Sequence, residues 1–196
     1  GCIGCICDSF DKGTGYTAAG GSGPEGDNFD IDYVAHEMGH QLGAFHTFSY
    51  QYEGSGVNVE PGSGSTIMGY AGITPYNVQQ HSDDYFTYAS IQQIQENLAG
   101  KNCGTETILT NPAITINAGP DYSIPKGTPF ILKAVNAGTN GPNVTYTWEQ
   151  NDDANPNLTG EDSEASPPKA SGPTFRSFPP SASPNRFKPA FSTVLA

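Results

Sequence analysis

The run His36-Glu37-Met38-Gly39-His40-Gln41-Leu42-Gly43-Ala44-Phe45-His46 constrains this chain more than any other stretch. His36 and His40 are four residues apart, so a helix sets both on one face with their Cβ atoms about 5–6 Å from each other. Two imidazoles so placed reach a single Zn²⁺ at about 2.0–2.1 Å. Gly43 takes a positive φ without strain, ends the helix, and turns the chain so that His46 supplies a third nitrogen. Three protein ligands leave a fourth position open, which separates a catalytic zinc from a closed structural one. Glu37, beside the first ligand, is placed to act as general base on a water at the metal. Ile31, Val34, Ala35, Met38 and Leu42 recur at three- and four-residue spacing and form the expected packing face of this helix. Asp30 or Asp32 is its expected N-cap.

The extended H-E-x-x-H-x-x-G-x-x-H pattern resembles the signature of the metzincin zinc endopeptidases. Ser65-Thr66-Ile67-Met68-Gly69-Tyr70 is similar to the methionine turn of that group, with Met68 placed 22 residues beyond His46. The resemblance implies that Met68 is an apolar floor beneath the ligands and not itself a ligand. Within the metzincins, Phe29–Ala35 and the segment Glu60-Pro61-Gly62-Ser63-Gly64-Ser65 resemble secreted bacterial reprolysin-like (adamalysin-type) peptidases. Many reprolysins carry Asp after the third histidine, where this chain has Thr47. The pappalysin branch has Thr-Phe there, as in Thr47-Phe48, so the branch stays open.

The resemblance further implies one catalytic zinc, Glu37 as base and polypeptide substrates. Reprolysin-like enzymes tie a Cys-Asp before the active-site helix to a cysteine after the last helix. By that likeness Cys7 pairs with Cys103, leaving Cys2 and Cys5 unpaired or joined to each other. Such a bridge implies an oxidising compartment and a secreted protein. Tyr70 matches the Met-x-Tyr of astacins and serralysins, which implies a hydrogen bond to the oxyanion. Simple packing in the turn is an equal alternative.

Elsewhere the chain reads more plainly. Residues 1–7 look like the end of a strand, 8–28 like a loop, and 47–64 like a polar, glycine-rich loop near the metal. His81 reads as a surface residue, because three histidines already complete the site. Ser82 is a plausible N-cap for a helix from about Asp83 to Ala99, with Tyr85, Phe86, Ala89, Ile91, Ile94 and Leu98 as its stripe and Gly100 as its stop. After Cys103 the composition changes. Ile114–Ala118, Pro129–Val135 and Val144–Trp148 read as short strands of a β-sandwich. Asn117–Asp121 and Thr145–Glu149 resemble the Ig-like or PKD-like modules of secreted bacterial enzymes, with Trp148 as core tryptophan. Residues 151–172 hold five acids and three prolines and read as a long exposed loop. No calcium-loop pattern supports a Ca²⁺ site among those acids, so calcium is a possibility without support.

Acids outnumber bases 20 to 8, a net charge of −12, which argues against nucleic acid or anionic lipid as partner. No run approaches the ~18 apolar residues of a membrane span, and residues 1–30 carry no signal-peptide pattern. The chain is therefore expected to begin after processing or a cut. The expected architecture is an α+β metzincin-type catalytic portion, N-terminally incomplete, over residues 1–104. A linker over 105–112 follows, then an all-β Ig-like sandwich module, also incomplete, over 113–196. The expected function is that of a secreted, monomeric zinc endopeptidase using Glu37 with His36, His40 and His46. An extracellular binding or adhesion protein with a remnant peptidase portion is the alternative.

Overall fold

A computed structural model describes residues 1–18, 23–108, 110, 114–136 and 144–189. The chain divides into two units: residues 1–105 with 149–177, and residues 106–148 with 178–196.

The first unit is built on one helical run. It opens as α1 (Asp27–Phe29), passes through a π-helical stretch (Asp30–Ala35), and continues as α2 (His36–Leu42). Gly26 is its N-cap and no side chain caps it. The expected caps Asp30 and Asp32 lie inside the helix instead. Asp32 is committed elsewhere, accepting from Ser82 N at 2.7 Å and from His81 Nδ1 at 2.8 Å. Gly43 stops α2 with φ 119°, and its backbone N–H donates to the carbonyls of Gly39 and His40. Of the expected packing face, Ile31, Val34, Ala35 and Leu42 are half-buried, but Met38 is 57% exposed. The π-turn before His36 shifts the helical phase, so one position in the series falls outside the packed face.

A second helix, α3 (Tyr88–Ala99), packs against α2. It starts five residues later than its sequence suggests, with the Thr87 side chain accepting from Ser90 N. Residues 83–85 are drawn into backbone pairing instead: Asp83 N donates to Ser65 O and Ile67 N to Tyr85 O. Ala44, Ile67 and Met68 form the apolar centre of the unit, with Ile31, Ala35, Phe86 and Ile94 packed on it. Residues 1–7 form turns, not a strand. Gly4 N and Ile6 N donate to the carbonyls of His40 and Gln41, and disulfides join Cys2 to Cys5 and Cys7 to Cys103.

Residues 151–172 are mostly exposed and irregular, as their composition suggests, but they and their neighbours up to 177 are fastened to the unit at particular points. Ala154, Ser163, Pro173 and Ser177 are buried. Gly62 N donates to Ser163 O, Gly160 N to Tyr50 O, and Ala154 N to Asn58 O. Arg176 pairs with Asp83 at 3.1 Å, and Glu149 accepts from Tyr88 N at 2.8 Å. Backbone groups of the 47–64 loop thus find partners here in place of water.

The second unit holds two antiparallel strand pairs. β1 (Ile116–Asn117) pairs with β3 (Val135–Asn136), placing Ile116 opposite Asn136. β2 (Phe130–Lys133) pairs with β4 (Asn185–Lys188), placing Phe130 opposite Lys188. Val144–Trp148 contributes an isolated bridge, Tyr146 to Ser181, and Trp148 Nε1 donates to Pro184 O at 2.9 Å. No Ig-like sandwich is formed among the described residues. The short strands leave Ile116, Val135 and Phe187 exposed, and an opposing apolar sheet is what a sandwich needs. Residues 109 and 111–113, in the expected linker and the approach to the first strand, lie outside the described residues, as does 190–196 of the tail.

Candidate metal centre

His36 and His40 stand one turn apart on α2, their ring centroids 4.7 Å from each other. The turn at Gly43 brings His46 to both, with centroid distances of 5.2 Å to His36 and 4.6 Å to His40. One nitrogen from each lies within 4.8 Å of the others, and among the described residues this is the one such group of potential ligands. Gly43 is required twice over. Its φ is positive, and a Cβ there would lie 2.8 Å from Asn97 Cβ. Asn97 Nδ2 in turn donates to Leu42 O at 2.8 Å, closing the C-terminus of the helix.

Each imidazole is oriented through its Nδ1. That of His36 meets Ile67 O at 2.7 Å, and that of His40 meets Ala44 O at 2.8 Å. Carbonyl oxygens only accept, so both Nδ1 atoms carry the proton. His46 Nδ1 lies 3.1 Å and 3.0 Å from the two carboxylate oxygens of Glu53 and carries its proton for the same reason. Burial pushes the pKa of His36 down to about 4, with its bond to Ile67 opposing; burial and then the charge of His40 push His46 down to about 4. These two rings are therefore neutral at pH 7 with their Nε2 lone pairs free. His40 Nε2 and His46 Nε2 face each other at 3.0 Å. Three imidazole nitrogens brought together in this way fit a metal ion, and a set of three histidines suits zinc.

The floor of the site is tightly packed. Met68 is fully buried, and a Cβ on Gly39 would collide with its Sδ while meeting Phe86 Cε1 at 3.0 Å. That is why glycine occupies this place inside the motif. Tyr70 lies with its ring centroid 4.6 Å from that of His46 and 5.5 Å from that of His36. Burial, then the neighbouring Tyr50, Glu53 and Glu37, push its pKa up, so its hydroxyl stays a donor. Glu37 and Tyr70 both line a cleft of about 610 Å³ that also includes His36, Gly69, Ala71 and Ile73. His81 lines the same cleft, but it is half-exposed, paired with Asp32, and outside the histidine group.

Two residues of the centre carry no readable sequence signal. Glu53 stands in the irregular loop after His46, where neither helical nor strand spacing points to a partner. Glu60 is buried at 3% exposure and binds Thr47 Oγ1 (2.6 Å), Thr66 Oγ1 (2.7 Å) and Ser65 N (2.9 Å). It thereby joins the residue after the third histidine to the methionine turn. Its place in a family-like segment was the one hint available.

Three converging imidazoles beside a cleft define a metallopeptidase-type centre. Residues 1–103 match the family model for the reprolysin-like metallopeptidases of family M12B, and the chain belongs to this family. Searches find no significant match among curated proteins or among solved structures.

Proposed function

We propose that this protein is a secreted zinc endopeptidase in which Glu37 is the general base. The observation that carries the reading is the set of three imidazoles committed through Nδ1, one ligand nitrogen of each within 4.8 Å of the others, with His36 lining the cleft that Glu37 also lines. His36, His40 and His46 would hold the zinc, which when bound acts as a Lewis acid and activates water for attack on an amide. Glu37 accepts a proton as the nucleophile attacks and returns it to the departing amine. Tyr70, kept protonated by its surroundings, donates to the carbonyl oxygen as negative charge develops there. Its close packing against His46 and Phe48 also suits a purely structural tyrosine. Two disulfides within residues 1–103 support an extracellular destination, and no helix among the described residues is long and apolar enough to cross a membrane.

The test uses the full chain. Glu37→Ala is expected to keep near-stoichiometric zinc while losing nearly all cleavage of unfolded casein. Cleavage equal to the parent would remove Glu37 from the mechanism. Tyr70→Phe is expected to lower kcat and leave zinc affinity unchanged; an unaltered kcat leaves Tyr70 a packing role alone.

A further inference from the structure

The three histidines are not held alike. His36 and His40 bond to main-chain carbonyls fixed by the methionine turn and by the end of α2. His46 alone depends on a side chain, and that side chain belongs to a loop with no helix or strand of its own. The side chains of this pair are 17% and 28% exposed, so water screens them only in part.

The loop carrying Glu53 is fastened from outside the residues that match the family. Asn58 is fully buried; its Nδ2 donates to Phe48 O at 2.6 Å and its Oδ1 accepts from Glu53 N at 3.4 Å. Its backbone N donates to Asp153 Oδ1 at 2.8 Å and its carbonyl accepts from Ala154 N at 3.0 Å. On the other flank Tyr50 O accepts from Gly160 N at 2.8 Å, and beyond Asn58 the N of Gly62 donates to Ser163 O at 3.1 Å. The bonds at Tyr50, Asn58 and Gly62 bracket Glu53 in the chain.

The geometry points to Glu53 as the positioning residue for the third metal ligand, held in place by residues 149–177 acting as a clasp on its loop. This rests on the zinc reading given above. A carboxylate on the far nitrogen fixes the ring, selects the tautomer with the proton on Nδ1, and raises the basicity of Nε2 toward a cation. The clasp supplies what an irregular loop lacks, a fixed backbone beneath the carboxylate.

The experiment measures zinc affinity of the full chain by competition with a chromophoric chelator, alongside thermal unfolding of the metal-free forms. Glu53→Ala is expected to weaken zinc binding roughly 10–100-fold. Glu53→Gln, which retains an acceptor for Nδ1–H, should recover part of that loss, and neither should lower the metal-free Tm. Asp153→Ala changes an exposed residue that touches no ligand. It should weaken binding severalfold in the parent and have no further effect in the Glu53→Ala background. Affinity of Glu53→Ala within twofold of the parent overturns the assignment. So does a metal-free Tm that falls with the affinity, or an Asp153→Ala effect of equal size in both backgrounds. A parent chain that takes up no zinc sinks the metal reading instead, and is thereby distinguished.

Discussion

In the first unit Thr47, Ser49, Asn58, Glu60, Ser63, Ser65 and Thr66 are all buried, whereas in the second only Ala134 and Lys188 are buried among the described residues. Both units are poor in regular structure, so the difference lies in what replaces it. Around the metal centre, directional bonds from buried hydroxyls, amides and one carboxylate fix loops that no helix or strand would hold. A network of that kind places side chains to within a fraction of an ångström. Among its described residues the second unit has four strands of two to four residues and little interior, so few of these side chains are held by packing. Substitutions should therefore be felt strongly in one and weakly in the other.

The largest expected effect is loss of the Cys7–Cys103 bridge. It closes a separation of 96 residues, and replacing both cysteines by serine should cost about 4–5 kcal/mol in the chain-entropy model. Glu60→Ala follows, since it leaves Thr47, Ser65 and Thr66 without their acceptor inside the protein; about 3–5 kcal/mol should be lost, read by urea unfolding. A cost under 1 kcal/mol would break the comparison at its centre.

Acid probes the same unit. In the metal-free chain His36 and His46 titrate near 4 when folded and near 6.5 when unfolded. The unfolded chain therefore takes up these protons first. Stability from this source is intact above about pH 6.5 and falls as the pH drops towards 4, by up to about 3 kcal/mol for each ring. Flat stability between those limits would show that the rings are not held neutral. Gly39→Ala should cost about 1–3 kcal/mol by driving a methyl group into Met68, whereas Val135→Ala at a 61% exposed site should stay within about 0.5 kcal/mol. Equal costs at Gly39 and Val135 would erase the distinction between the units.

The parts legible in the sequence are those with a period or a special backbone need. The spacing of His36 and His40 and the turn at Gly43 depend on local geometry alone, whereas the expected stripe of the last helix holds only in part: Ala89 is buried and Phe86 and Ile94 pack on the core, but Ile91 and Leu98 are exposed. Where tertiary partners compete, the local reading fails. Ser82-Asp83-Asp84 has the look of a helix start, but backbone bonds to Ser65 and Ile67 engage Asp83 and Tyr85 outside any helix, which begins only at Tyr88. Asp32 resembles a cap and serves as acceptor for His81 and Ser82 instead. The acids and prolines of 151–172 suggest exposure and most of the segment is exposed; what composition does not register is the few backbone groups, those of Ala154, Gly160 and Ser163, that bond to the 47–64 loop. Glu53 is illegible for the same reason: its partner is set by a loop path, and a loop path has no period.

The route of the chain, out of the first unit at residue 105 and back at 149, also orders events in time. A ribosome adding about 5–20 residues per second delivers both zinc-ligand helix and methionine turn several seconds before residues 149–177 emerge. Until then Tyr50 O, Asn58 O and Gly62 N lack the partners that they have in the finished fold. Nascent chains arrested near residue 105 should thus be cut readily by added protease within 47–64, and chains arrested well past 177 should resist. The loop that carries Glu53 is thus fastened only once residues 149–177 have been added.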